Sequence, residues 1–262
     1  MWTLVSGSGT VAEPNNPNTV ISDLGFGSNV FRWSISNGSC GTFSDDVVIT
    51  RNSCPSMLTF FSSGDSFLKA TADNTNEGAN ERLRLQSAGN NRAVVLFDLT
   101  GISTVGLQSA TLILTVAENS NNWSASGRLV DAHRLLVDWT EGNGRNDVMV
   151  GGGPGFRGTG EGITWNCGKD LNIANQSANC SALWNGGNYA AATAPGTLHS
   201  NGLFGEVFWD VTADVLAGAN FGWLIRKQNE SQNGQVRYYS REGAALAGNA
   251  SLAPRLVLVY SP

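Results

Sequence analysis

Charged residues are scarce in this 262-residue chain, at 14% of the total, well below the quarter that is usual in soluble domains. The formal net charge of −5 argues against general binding to nucleic acid, so we expect no such partner. Histidine occurs only twice and the four cysteines show no CxxC spacing, which excludes a zinc finger. No apolar run approaches the roughly 18 residues of a transmembrane helix, so we expect no membrane span.

The first residues, MWTLVSGSGT, lack the basic start and the apolar stretch of a signal peptide. We therefore expect a mature form, an expression form or a fragment of a longer chain. Short apolar stretches alternate with segments rich in Gly, Asn, Ser and Thr, and the chain contains 32 glycines. This composition is typical of strands joined by turns, and it favours an all-β protein that is secreted or exposed on a cell.

Residues 1–53 predict four strands, because WTLVS, NTVISDL, NVFRWSIS and DDVVITR alternate apolar and polar residues. The order SGSGT, LGFGSNVFRWSISNG and DDVVIT resembles the second half of the PKD-like, immunoglobulin-like repeats in surface and secreted proteins of Bacteroidota-type bacteria. The resemblance implies an extracellular or cell-surface location in a bacterium.

Four strands are too few for an immunoglobulin-like sandwich, which needs about seven. A partial module of this kind leaves an apolar face and an open sheet edge in water. Three explanations are open at this point. The chain is cut within a domain, the segment packs on the following domain, or a strand from a neighbouring copy completes it by β-augmentation. The third predicts that the partners are other copies of the protein.

Residues 54–58 are predicted to form a linker, and residues 59–262 one β-sandwich. Ten short apolar stretches, from LTFFSS to PRLVLVY, predict a sandwich or jelly roll. The only predicted helix is TADVLAGA, with Thr212 as its cap and Gly218 at its end.

This region resembles the DNRLRE domain family, which includes carbohydrate-binding modules for alginate and related polysaccharides. The matching stretches are FLKATADNTNEGANERLRLQSAGNNRAVVLFDL, VDAHRLLVDWTEG, VFWDVTADV and YYSREGAALAGNASLAPRLVLVY. The resemblance implies a jelly-roll-like β-sandwich, and it makes a polysaccharide a candidate partner.

Carbohydrate binding requires aromatic faces for stacking, and an acidic polysaccharide also requires cationic groups. Alternation places the arginines of ERLRLQ on one strand face, and the polar residues of VRYYSR likewise share a face. Such faces bind carboxylates if they are solvated, but the alternative is an ordinary outer face whose Arg stems cover apolar surface. The predicted carbohydrate-binding residues are Arg82, Arg84, Trp123, Trp184, Arg237, Tyr239 and Arg241.

The stretch DNTNEG offers oxygen donors for a Ca²⁺ ion at Asp73, Asn76 and Glu77. Counting from Asp73, the twelfth position is Arg84 rather than the Glu of an EF-hand loop, so this stretch does not begin an EF-hand. The alternative is a cluster of Asx turns that bond their own backbone.

The cysteines fall in two local groups, Cys40 with Cys54 and Cys167 with Cys180. Pairing within each group is the simplest of the three possible arrangements, and the second pair is the stronger prediction. Disulfides imply an oxidising compartment. The second pair would also tie down the long polar segment 142–206.

Catalytic signals are weak. Asp138 and Glu141 in DWTEG resemble a glycosidase carboxylate pair, but a structural role in the turn is the preferred interpretation. His133 is predicted to be a packed strand residue and His199 an exposed loop residue. We therefore expect a non-catalytic extracellular protein, structural or adhesive, that forms a segment or subunit of a surface or filamentous assembly joined by strand complementation. The alternative is a carbohydrate-binding module that targets an acidic polysaccharide for a degradative system.

Overall fold

A computed structural model describes residues 1–86, 90–150 and 153–262 of the chain. Strands account for 40% of the residues and helices, all of them short, for 9%, so the predicted all-β fold is confirmed. The chain separates into two compact units, Met1–Ser56 and Met57–Ser261.

The N-terminal unit has five strands: β1 (Trp2–Ser6), β2 (Thr10–Val11), β3 (Ile21–Ser22), β4 (Gly27–Ser36) and β5 (Thr42–Arg51). Three of them form a sheet in the order β1-β4-β5, and β2 pairs separately with β3. The predicted strand NTVISDL is therefore only two residues long, and β2 was not predicted. Strand β5 pairs with β4 over all ten residues without a bulge, and within the described residues its other edge has no partner.

The apolar face of this sheet is only partly covered. Antiparallel partners share a face, and Leu4, Phe31 and Val47 form one row across the three strands. Phe31 is fully buried, and Gly9 lies so close to its ring that an added Cβ would be 2.6 Å from the Phe31 Cζ atom. Val47 remains 42% exposed.

The far end of the same face is more open. Ile35 pairs with Phe43, and these side chains are 57% and 72% exposed. Val48, on the opposite face of β5, is 61% exposed. Within Met1–Ser56, a segment that the structure describes in full, Phe31 is the only buried apolar residue.

The C-terminal unit is built on a curled sheet of eleven strands. They are β6 (Ser56–Phe61), β7 (Gly64–Lys69), β8 (Arg82–Gln86), β9 (Asn91–Leu96), β10 (Leu107–Asn119), β11 (Arg128–Arg134), β12 (Thr197–His199), β13 (Gly205–Asp210), β14 (Trp223–Lys227), β15 (Gln235–Tyr239) and β16 (Arg255–Tyr260). The order is β12-β11-β14-β9-β8-β15-β10-β16-β6, with β13 on β10 and β7 on β9. The first and last strands of the unit are therefore neighbours. Residues 56–58, which we predicted as linker, belong to β6.

The sheet closes over a large apolar core. Leu83 and Leu85 point into this core while the alternate residues of β8 are only half-buried, as the alternation in RLRLQ predicts. Trp223 and Tyr238 are completely buried in the same core. A second, smaller cluster includes the indole of Trp139.

The long segment 142–206 is held by covalent and polar contacts. The disulfide between Cys167 and Cys180 closes a loop within it, so the stronger of the two cysteine predictions is confirmed. Arg92 on β9 donates a hydrogen bond of 2.6 Å to the Gly186 carbonyl and stacks at 4.6 Å on Trp165. These contacts fix the described residues of the segment around Cys167, Cys180 and Gly186 despite their polar composition.

Two short α-helices interrupt the strands. Helix α1 (Thr212–Leu216) was predicted, but Thr212 is its first residue rather than its cap. Helix α2 (Arg241–Leu246) was not predicted, because YYSREG was interpreted as continuing a strand; the Ser240 hydroxyl instead caps it by accepting from the Gly243 N–H. In the described part of the chain, neither these helices nor any other has the length and apolar character to cross a bilayer.

Candidate functional site

Strands β8 and β15 bring the predicted arginines together. Arg84 lies opposite Arg237, and Arg82 lies opposite Tyr239, so all four side chains share one face of the sheet. The Arg82 guanidinium stacks on the Tyr239 ring at 4.5 Å. The alternation in the sequence therefore placed these residues correctly.

The guanidinium groups of this face are neutralised within the chain. Arg84 pairs with Asp147 at 2.6 Å, and Arg237 and Arg82 pair with Glu118 at 2.5 and 3.4 Å. The three arginine side chains are 12–24% exposed. A carboxylate ligand would have to displace these partners, so the geometry agrees better with the outer face of a half-buried sheet.

The two tryptophans differ from each other. Trp123 is 4% exposed, and its indole N–H donates to Asn119 Oδ1 at 3.0 Å. Gly234 lies against its ring so closely that a Cβ there would be 2.4 Å from the ring, which lets the indole turn inward. The prediction of Trp123 as a stacking platform is therefore wrong.

Trp184 is half-buried and borders a surface groove of about 290 Å³. Its indole N–H donates to the Thr164 carbonyl at 3.0 Å, which fixes the ring. Lys169 and Asp138 form a 2.5 Å ion pair in the same groove. The groove therefore combines an aromatic edge with charged groups.

The residues predicted to bind calcium are divided between surface and interior. Asp73 is exposed, whereas Asn76 and Glu77 are almost completely buried. Asn76 Oδ1 accepts from the Gly144 N–H at 2.7 Å, and Glu77 Oε2 accepts from the Asp147 N–H at 3.0 Å. Since chain donors occupy these buried oxygens, the arrangement matches the alternative of a loop that bonds its own surroundings.

A different polar cluster forms where β7 meets the start of α2. The Asp65 N–H donates to Glu141 Oε1 at 2.7 Å, and the Arg241 N–H donates to Asp65 Oδ2 at 3.1 Å. The Arg241 guanidinium lies 2.6 Å from Glu141 Oε2 and 3.2 Å from Glu242 Oε1. Arg241, predicted as a carbohydrate ligand, is thus paired with carboxylates of the chain.

Two carboxylates of this cluster, Asp65 and Glu141, have raised pKa values. Burial, reinforced by the charges of Glu242 and Glu141, raises the pKa of Asp65 well above its usual value. Burial also raises the pKa of Glu141 to about 7, although the Asp65 N–H and Arg241 oppose the shift. Burial and mutual repulsion therefore favour the protonated forms of Asp65 and Glu141 when no cation is bound.

A groove of about 400 Å³ lies beside Arg241. Its lining is mainly apolar and comes from Phe61 and the alanines of α2 and the turn that follows it. Phe61 is 49% exposed. The Arg241 guanidinium at its rim is already paired with Glu141 and Glu242, so the groove offers mainly apolar contacts.

The other catalytic candidates are dispersed. Asp138 pairs with Lys169 at the surface while Glu141 faces Asp65, so the two do not act on a common partner. His133 is a packed strand residue as predicted, with Nδ1 2.9 Å from the Ala190 carbonyl.

The prediction for His199 is wrong, because it lies on β12, is fully buried, and contacts the Tyr238 hydroxyl at 2.6 Å. Burial lowers the pKa of His199 to about 4. A neutral imidazole in this position can share a hydrogen bond with Tyr238 without carrying a charge into the core.

Cys40 and Cys54 are exposed and are not bonded to each other, contrary to the sequence prediction. The whole of β5 separates them, and ten extended residues span roughly 30 Å. A disulfide requires Cα atoms within about 7 Å. The spacing along the chain suggested a short loop, but the loop is a straight strand.

No known family model matches the chain, and no curated protein is significantly similar to it. The resemblances to the DNRLRE and PKD-like families therefore stay predictions.

Sequence reasoning missed Asp65 and Glu242 as site residues. Asp65 stands in SSGDSFL and Glu242 in YYSREG, and neither stretch has a recognisable ligand spacing. Of the three clustered carboxylates, the sequence singled out only Glu141, and there as the partner of Asp138 in a glycosidase-like pair.

Proposed function

We propose that the protein is a non-catalytic extracellular structural or adhesive protein, a segment or subunit of a surface or filamentous assembly, whose copies join by β-strand addition. The observation that supports this most strongly is the free edge of β5, ten residues long and regular. The disulfide between Cys167 and Cys180 is compatible with secretion.

The β5 edge lacks several features that normally prevent strands from associating, although it carries the charged residues Asp45, Asp46 and Arg51. Natural edge strands are often shortened, bulged, or protected by Pro or Lys. The sequence TFSDDVVITR contains neither residue, and the register against β4 has no irregularity. Its outward N–H and C=O groups can extend the sheet, and Phe43, Val47 and Val48 supply exposed apolar area to such a contact.

Antiparallel pairing of β5 with β5 of a second copy has a favourable register centred on Val47. Asp45 then lies opposite Ile49, and Asp46 lies opposite Val48, so no like charges face each other across the new pair. Cys40 and Cys54 each lie seven residues from Val47, on opposite sides. The register therefore places Cys40 of one copy and Cys54 of the other beyond the same end of the paired strands, Cys40 in a 3₁₀ turn two residues before β5 and Cys54 three residues after it.

This register is tested by oxidative cross-linking of the whole protein. With oxidised glutathione as the oxidant, the two thiols form one disulfide and glutathione is released as two thiols. We expect a covalent dimer on non-reducing gels, with a peptide that links residue 40 to residue 54. A mixture of the Cys40→Ser and Cys54→Ser variants should form one such disulfide in each mixed dimer. The Cys40→Ser variant alone should form no disulfide between residues 40 and 54.

The joint itself is tested with Val47→Lys, which places two ammonium groups opposite each other in the paired edge. We expect the wild-type protein to associate in sedimentation experiments and the variant to be monomeric. Val20→Lys is the matched control, because Val20 is 69% exposed and lies outside β5. A wild-type protein that stays monomeric at all concentrations, or a Val47→Lys variant that associates as well as wild type, would refute the proposal.

The second candidate function is binding of an acidic polysaccharide, favoured by the groove that joins Trp184 to Lys169. Stacking on the half-buried indole is one contact that such a ligand needs, and a ligand carboxylate would compete with the exposed Asp138 for the Lys169 ammonium group. We expect retention on an alginate column that Trp184→Ala abolishes. Arg82→Ala is the matched control, since Arg82 is already paired with Glu118.

A further inference from the structure

Three carboxylates, from Asp65, Glu141 and Glu242, each place an oxygen atom within 4.8 Å of the others. They come from β7, from the turn after Trp139 and from the first turn of α2. We propose that these three residues bind a divalent cation that prefers oxygen ligands, with Ca²⁺ the best match.

The first observation that points to a ligand is an unpartnered buried oxygen. Asp65 is 1% exposed, and its Oδ1 accepts no hydrogen bond from any residue that the structure describes. Its other oxygen is held by Ser62 and by the Arg241 N–H. Leaving a buried carboxylate oxygen without a partner costs about 1–3 kcal/mol or more, so such an atom requires an explanation.

A second carboxylate oxygen in the cluster is also buried without a hydrogen-bond partner among the described residues. Glu242 Oε2 is buried and has no partner among the described residues, while its Oε1 lies 3.2 Å from Arg241. Arg241 therefore occupies one side of the cluster and leaves Asp65 Oδ1 and Glu242 Oε2 free. Both free atoms belong to the carboxylates of the proposed site.

The charge of the cluster fits a dication. When all three carboxylates are ionised, they and the Arg241 guanidinium sum to −2, so one divalent ion would neutralise the ionised cluster. Without a counter-ion, like-charged carboxylates at this separation repel each other in a poorly solvated site.

The donor set selects the kind of metal. All three ligands are carboxylates, which suit Ca²⁺ or Mg²⁺ rather than Zn²⁺ or copper. Ca²⁺ accepts six to eight oxygens in flexible geometry, whereas Mg²⁺ requires a near-ideal octahedron. Three carboxylates from three separate elements, two of them also bound to Arg241, suit the more flexible ion.

The site is also open to solvent on one side. The Glu141 and Glu242 side chains are 20% and 29% exposed, and Arg241 is 40% exposed. An ion can thus reach the buried Asp65 past α2, and water can complete the coordination.

The test is thermal unfolding of the full-length chain after removal of metals with a chelator. Added Ca²⁺ should raise the midpoint by roughly 5–10 °C at one hundred times its dissociation constant. Mg²⁺ at the same concentration should raise it by less. Calorimetric titration should give one Ca²⁺ per chain.

The decisive variant is Glu242→Gln, which keeps the shape of the side chain and removes a ligand charge. We expect Ca²⁺ affinity to fall at least tenfold, while in chelator the variant unfolds at or above the wild-type temperature because repulsion is relieved. Asp138→Asn is the matched control, since that exposed carboxylate lies outside the cluster and should leave the Ca²⁺ response unchanged.

Two results would overturn the inference. One is a stripped wild-type protein whose midpoint and calorimetric trace do not respond to millimolar Ca²⁺. The other is a Glu242→Gln variant that responds as fully as wild type. Neither result bears on strand addition at β5, which is measured by association rather than by unfolding.

Discussion

In the C-terminal unit Trp223 and Tyr238 are fully buried, whereas in the N-terminal unit Phe43 is 72% exposed on a strand of similar regularity. Both units satisfy their backbone through antiparallel ladders. They differ in whether a second layer covers the apolar face. Strand pairing alone therefore does not bury a core. The N-terminal unit keeps exposed apolar area and, within the described residues, an unpaired edge on β5 that a partner can use.

Among these substitutions, Trp223→Ala should cause the largest loss of stability in the C-terminal unit. The indole is completely buried, and its N–H donates to Asp214 at 2.8 Å. Removing it leaves a cavity and takes the indole donor from Asp214 Oδ2, so we expect a loss of about 3–5 kcal/mol in the free energy of unfolding. Urea denaturation followed by circular dichroism measures the loss.

Phe208→Ala is the control for this substitution, because Phe208 lies in the same unit and is 49% exposed. It should cost clearly less than Trp223→Ala. Equal losses in the two variants would show that the buried core does not dominate the stability of the unit.

Removal of the Cys167–Cys180 disulfide should have the next largest effect. The bond closes a loop with a sequence separation of 13, and the chain-entropy relation gives about 3 kcal/mol for such a loop. We expect the Cys167→Ala, Cys180→Ala double variant to unfold earlier in urea by this amount. The Cys40→Ala, Cys54→Ala double variant should leave the monomer as stable as wild type, since those thiols are free.

Acid should destabilise the C-terminal unit through His199. Its pKa in the folded state is about 4, against about 6.5 when unfolded, so the unfolded state binds a proton first as the pH falls. The contribution of His199 is complete above pH 6.5 and is lost progressively towards pH 4, by up to about 3 kcal/mol. Urea unfolding at several pH values should show that wild type loses stability relative to His199→Gln as the pH falls from 6.5 to 4. The raised pKa of Glu141 acts in the opposite direction in both proteins and cancels in this difference.

The smallest effect should come from Phe43→Ser in the N-terminal unit. Because the side chain is 72% exposed, we expect the stability of the monomer to change by less than about 0.5 kcal/mol. The same variant should weaken self-association, which sedimentation equilibrium measures. A large loss of monomer stability would mean that Phe43 is buried in the free protein.

Local patterns predicted the strands and their faces well. The alternation in RLRLQ correctly separated Leu83 and Leu85, in the core, from Arg82 and Arg84, outside it. The strand β12 was missed because its three residues carry no pattern long enough to detect. Helix α2 was missed because its cap, Ser240, follows directly on an alternating strand.

The candidate sites were harder to predict because they depend on contacts between distant residues. Asp65, Glu141 and Glu242 are far apart in sequence, and only the folded sheet brings them together. Trp123 stands among turn residues, which suggested exposure, yet Gly234 from a remote loop allows it to be buried. Cys40 and Cys54 are close in sequence but are held apart by β5.

Strands β6 and β16, the first and last of the C-terminal unit, are adjacent in the sheet. If the protein carries tension between its two ends, as a tether on a cell would, the load enters the unit through this one pair of strands. Resistance to extension would then depend on how these two strands hold together rather than on the depth of the core. Pulling single molecules from both termini should therefore rupture this pair before the interior is exposed.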